Sequence, residues 1–198
     1  MRAPDARFSA RLGVLVLAAL MSACTAAPRT LGPGPTATAR LTFDLESRWS
    51  PIWRGEDPEV DVSQLTVHGP LLDRFFIAAI EPGHGLVTPG FGDYPRWWAG
   101  TPADALDGFF TESLTALGYR NIEIAAKRPR PLGDASGVEY TLRLERPGGL
   151  KINGLALASV ESETLDLFLF LAPREHYFEA RRAEIEAVFN SAARRPRR

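Results

Sequence analysis

The chain has 198 residues, of which 45% are hydrophobic and 24% charged, with a formal net charge of −1. That length fits one domain plus an export segment, and the near-neutral balance excludes a nucleic-acid partner held by a global positive field. A single cysteine, Cys24, excludes an intramolecular disulfide, so the fold must stand on its apolar core.

The N-terminus has the three parts of an export signal. Arg2, Arg7 and Arg11 form a positive flank, diluted only by Asp5, and an apolar run follows from Leu12 to Met21. Roughly a dozen apolar residues are too few for the ~20 that a spanning helix needs, and suit a signal-peptide core. Ser22, Ala23 and Cys24 close the run. The segment Leu20-Met21-Ser22-Ala23-Cys24 resembles the bacterial lipobox, with Met21 standing where Leu is usual. That resemblance implies cleavage before Cys24, a diacylglyceryl group on its sulfur and acylation of the new amino group. Two or more acyl chains make a stable anchor where one does not. Thr25 follows the cysteine, which under the sorting rule of two-membrane cells points to the outer membrane. Residues 1–23 are thus expected to be a lipoprotein signal peptide.

From Thr25 to Ala39 the chain is Pro, Gly, Thr and Ala apart from Leu31 and one charge, Arg29. It has no apolar period, so residues 24–39 are expected to be the lipidated cysteine and a flexible tether, spanning up to ~50 Å. The domain is expected over residues 40–193. Leu41, Phe43 and Leu45 alternate with polar residues as a half-buried strand, and Trp49 to Trp53 turns the chain over a sheet edge. Gln64 to His68 and Arg74 to Glu81 are strands joined by Gly69-Pro70. Phe75 to Ile80 is apolar on both faces, the mark of a central strand.

Between Pro82 and Gly100 lies a long loop rich in Gly, Pro and aromatics. Thr101, Pro102 and Asp104 predict a helix start, and Leu106, Phe109, Phe110, Ser113, Leu114 and Leu117 recur at helical spacing up to the stop at Gly118. Strands are predicted at Arg120 to Ala126, Val138 to Glu145, Leu150 to Val160 and Leu165 to Leu171, the last again apolar on both faces. A closing helix covers Arg174 to Ala193, and Arg194 to Arg198 form a basic tail that is either a solvated helix end or a contact for anionic lipid.

The order of elements predicts an α+β sandwich, a mostly antiparallel sheet of six to seven strands flanked by helices. The strand-strand-strand-helix rhythm, the strand from Phe43 leading to Trp49, the Thr101-Pro102 helix start, Gly118-Tyr119, and the Pro173 to Phe178 opening of the last helix resemble the Mog1/PsbP-type α/β/α sandwich. That resemblance spans about Arg40 to Ala193 and implies binding and assembly roles rather than chemistry.

The residues themselves nominate little catalysis. His68, His84 and His176 lack the paired spacing of metal ligands. Ser136 in Gly133-Asp134-Ala135-Ser136-Gly137 lacks the strand-to-helix context of a nucleophile elbow. No catalytic residue, metal or cofactor is assigned. Tryptophan and tyrosine contribute much contact area at little entropic cost, so Tyr94, Trp97 and Trp98 are the candidate binding residues. Trp97 and Trp98 are adjacent and cannot both face one way; the bland alternative is that the loop caps the core. The expected function is a lipid-anchored, non-enzymatic binding module of the cell envelope, with the membrane and an envelope protein as partners. The alternative is an envelope hydrolase using His84, Asp93 or Ser136.

Overall fold

Two of the predicted strands are apolar on both faces, and such strands need cover twice over. The computed structural model describes residues 30–38, 40–54, 60–87 and 94–195. Numbered along the chain, its strands are β1 (Gly34–Ala37), β2 (Leu41–Leu45), β3 (Ser50–Arg54), β4 (Val60–Thr66), β5 (Arg74–Ile80), β6 (Arg120–Pro129), β7 (Gly137–Glu145), β8 (Lys151–Glu161), β9 (Thr164–Pro173) and β10 (Ala193–Arg194). The helices are α1 (Asp107–Ala116) and α2 (Glu179–Ser191). One seven-stranded sheet runs β3-β4-β5-β9-β8-β7-β6, with the doubly apolar β5 and β9 side by side in its middle. A smaller sheet has the order β1-β2-β10. Every pairing in both sheets is antiparallel.

The period of two along β9 fills both faces. Leu165, Leu167, Leu169 and Leu171 lie in a core with Phe76 and Ile80 of β5 and Phe110 and Leu114 of α1. Phe168, Phe170 and Ala172 lie in a second core with Phe43 of β2 and Ile185, Val188 and Phe189 of α2. The layers are therefore α1 with its preceding loop, the large sheet, and α2 with the small sheet. Each fully buried Leu or Phe contributes about 1.5–3 kcal/mol, and a one-residue slip of β9 would exchange its two faces. Register is accordingly well defined. This is the expected α+β sandwich.

Several boundaries differ from the sequence expectation, each for a local reason. The tether was expected to run to Ala39, yet Leu31 bridges Trp49 and Gly34–Ala37 pair with Leu45–Thr42. A strand of Gly, Pro, Thr and Ala has no side-chain pattern and exists through its partner alone. Ser50–Arg54 is an edge strand rather than a turn, and Pro51 suits an edge because it has no N–H to donate. Helix α1 begins at Asp107, not near Thr101. Tyr140 explains the delay: its hydroxyl donates to the Ala103 carbonyl at 2.5 Å and accepts from the Leu106 N–H at 3.3 Å. Those are backbone groups that an earlier helix start would have used.

The closing helix also starts late. Arg174–Phe178 form a wide, irregular turn with His176 at φ 90°, which stacks Phe178 on Phe170 at 5.9 Å before α2 begins. Arg194 and Arg195 do not form a frayed tail. Arg194 pairs with Leu41 in β10, and the Arg195 N–H donates to the Arg40 carbonyl at 2.8 Å. On the other flank of α2, Arg130 donates to Glu139 at 2.5 Å and to the Glu186 carbonyl at 3.0 Å, and lies over the Phe189 ring. Among the described residues no helix is long and apolar enough to cross a membrane.

Candidate functional site

The aromatic loop returns across the end of β5 in a fixed geometry. The Trp97 N–H donates to the His84 carbonyl and the Gly83 N–H to the Trp97 carbonyl, each at 2.8 Å. Gly85 permits this approach, since a Cβ there would sit 2.1 Å from the Pro95 carbonyl oxygen. The reciprocal pair turns Trp97 inward, where it is 1% exposed and packs in the α1-side core. Its neighbour Trp98 turns outward and is 60% exposed. Trp97 therefore holds the loop and cannot itself touch a partner.

Tyr94 is half-buried, with the Arg96 guanidinium 5.0 Å from its ring centre. It lines a groove of about 450 Å³ with Pro95 and with Thr111, Glu112, Thr115 and Ala116 of α1. The groove is wide open to solvent and mostly apolar. Among the described residues its one charged side chain is Glu112, so these offer contact area rather than an acid/base pair. Of the three nominated residues, two lie on the surface and one in the core.

The two described residues of the hydrolase alternative, His84 and Ser136, are not brought together. Asp93 and Phe91 of the loop, like Cys24, lie outside the described residues. His84 follows the end of β5, while Ser136 precedes β7, and β9 and β8 lie between those strands. Three strand spacings separate them by roughly 14 Å. Ser136 sits in a tight turn, where its carbonyl accepts from the Ser159 hydroxyl at 2.7 Å.

Two charged groupings went unnoticed in the sequence. His68 Nδ1 lies 2.7 Å from Asp73 Oδ2, and Asp73 also accepts from the Val67 N–H and the Thr66 hydroxyl. The carboxylate is buried and closes the β4–β5 turn, with Tyr177 against the His68 ring. The Thr66 hydroxyl donates to Asp73 itself rather than to a His68 ring nitrogen, so these groups shape a turn. The second grouping surrounds Asp166 on β9, whose side chain is fully buried and ion-paired with Arg194. Burial pushes the Asp166 carboxyl up to about 6, against the pull of Arg194 and Arg40. Arg194 also binds Glu161, and Arg40 binds Glu81. This cluster fastens β10 to the large sheet. Among the described residues, no three His, Cys, Asp or Glu side chains are placed to hold a metal ion.

No protein-family model matches the chain, and neither does any curated protein. Among solved structures it is similar to cyanobacterial PsbP (CyanoP) from Synechocystis sp. PCC 6803, at 15% identity and a TM-score of 0.53, covering 83% of this chain and 96% of that one. The fold is PsbP-like. Weaker likenesses are to a crystal structure from Bacteroides thetaiotaomicron VPI-5482 (12% identity, TM-score 0.48, 83% of this chain and 50% of that one). Another is to the protein of unknown function PA94 from Pseudomonas aeruginosa (11% identity, TM-score 0.43, 82% and 100%). The chain spans half the length of the Bacteroides structure. In this PsbP-like fold the aromatic loop leads into α1, on the face of the large sheet opposite α2.

Proposed function

We propose that the chain is a cell-envelope lipoprotein, acylated on Cys24, whose PsbP-like domain is a non-enzymatic binding or assembly module. An envelope protein is the partner, received along Trp98 and the Tyr94 groove. The observation that carries this reading is the pairing of an exposed Trp98 with a buried Trp97. A large aromatic on an immobilised backbone loses little freedom on binding, which is the profile of an interface anchor. The open groove lined by Tyr94 and Pro95, which precede Trp98 in the chain, suits a protein segment better than an enclosed small molecule. The lipobox-like run ending at Cys24 supports the anchor, and Thr25 supports the outer membrane.

The test has two arms. Metabolic labelling with an alkyne fatty acid should mark the protein and lose the mark in Cys24→Ser; an unmarked native chain rules out the anchor. A photo-crosslinking residue at position 98 should give, in cells, a discrete adduct that Tyr94→Ala weakens. Equal adducts from position 98 and from an unrelated exposed site, Glu179, would count against the binding face.

A further inference from the structure

We propose that the end of the sheet carrying Leu71 and Leu150 is the face the domain turns to an anionic phospholipid surface, an inference that rests on lipidation of Cys24. Leu31 joins the fold only seven residues after Cys24. Even fully extended, that stretch reaches about 25 Å. Leu31 bridges Trp49, which precedes β3 where Ser50 pairs with Thr66, so it lies at the end of the sheet where β4 stops. A lipid on Cys24 therefore holds this end near the bilayer.

The same end is equipped for contact. Leu71, 70% exposed, lies in the β4–β5 turn, and Leu150, 41% exposed, in the β7–β8 turn. Arg146 ties the two turns together. Its guanidinium donates to the Leu71 carbonyl at 2.7 Å and the Pro70 carbonyl at 3.1 Å, while its backbone N–H donates to the Leu150 carbonyl at 2.9 Å. The two exposed leucines thus sit on turns that Arg146 joins. Around them stand Arg74, Arg120, Lys151 and Arg174, against Glu145 and Glu175. Asp73 is buried in its turn, and Glu46 and Arg48 offset one another nearby. Exposed leucines within an excess of positive charge match the boundary of an anionic bilayer, where apolar insertion and headgroup attraction act together. Trp98 follows Trp97, whose backbone pairs with Gly83 and His84 beyond the opposite end of β5.

The lone cysteine makes the test clean, because once Cys24 is acylated an introduced thiol is the single one available. The full lipid-anchored chain carrying Leu71→Cys, Leu150→Cys or Trp98→Cys is labelled with an environment-sensitive fluorophore. It is then placed in phosphatidylglycerol–phosphatidylethanolamine vesicles holding a headgroup nitroxide quencher. Quenching is expected at 71 and 150 and not at 98, weakening in purely phosphatidylcholine vesicles. Quenching that is equal at all three, greatest at 98 or absent everywhere overturns the orientation, and a pattern indifferent to lipid charge overturns the choice of anionic lipid. Mass spectrometry of the N-terminal peptide separates the two readings. An acylated Cys24 with the wrong pattern removes this inference alone, and a bare Cys24 removes both.

Discussion

The Trp49 indole N–H donates to Glu184 Oε1 at 3.0 Å, joining the segment before β3 to α2 across 135 residues of sequence. The same oxygen accepts from the Ser47 N–H at 2.8 Å, and Arg181 donates to the other oxygen at 2.9 Å. Burial works against the Glu184 charge, but these hydrogen bonds outweigh it and hold the carboxyl below its usual range. Glu184→Ala should cost about 2–4 kcal/mol, because it leaves the buried Trp49 N–H and the part-buried Ser47 N–H and Arg181 guanidinium without this acceptor. Urea unfolding followed by tryptophan emission measures it. A group with a lowered folded value stabilises above its unfolded pKa, so this contribution should fade as pH falls below the carboxylate range.

Adjacent tryptophans should respond very differently to truncation. Trp97→Ala removes a buried ring and should cost about 3–5 kcal/mol. Trp98→Ala removes an exposed one and should change stability by less than about 0.5 kcal/mol. Thermal melts of the two variants decide the matter. Equal losses would mean that the loop does not hold Trp97 inside.

Gly85→Ala should unseat the aromatic loop. The new methyl would collide with the Pro95 carbonyl, which is backbone and has no room to swing aside. A loss of about 2 kcal/mol or more is expected, with faster amide exchange at Gly83 and Trp97. Unchanged exchange at both amides would refute the close approach.

Asp166 gives the opposite pH sign to Glu184. Its folded pKa of about 6 exceeds the ordinary 3.8, so between those values the folded chain holds a proton that the unfolded chain has lost. Stability from this group is therefore full below pH 4 and declines as pH rises through 6, by roughly 2–3 kcal/mol at most. Asp166→Asn mimics the protonated form without titrating. Its stability relative to the native chain should climb between pH 4 and 7. A difference that stays flat over that range would show that Arg194 fully compensates the buried charge.

What the sequence made legible was whatever side chains alone encode. Phe75 to Ile80 and Leu165 to Leu171 announce central strands because no solvent face interrupts them, and both are central. Strand β1 escapes because Gly34–Ala37 have nothing to bury, and only the β2 backbone makes them a strand. The start of α1 escapes because Tyr140, more than thirty residues away, takes the backbone groups that Pro102 and Asp104 would otherwise organise. Adjacency shows that Trp97 and Trp98 diverge; which one turns inward depends on the His84 carbonyl. Arg146, which joins two turns, carries no motif at all. Its role comes from the topology that sets Pro70 and Leu71 beside it.

Leu31 bridges Trp49 at the end of the sheet where β9 stops, and the last described strand is fastened beside Glu161 and Asp166, at the other extremity of β9. Ten residues of strand separate those points by about 33 Å. With Cys24 acylated as proposed, the domain would stand on the bilayer like a post set in the ground. A fluorescent protein fused at the C-terminus would ride at the top of the post, and energy transfer from it to a dye in the bilayer would read out whether the post stands or leans.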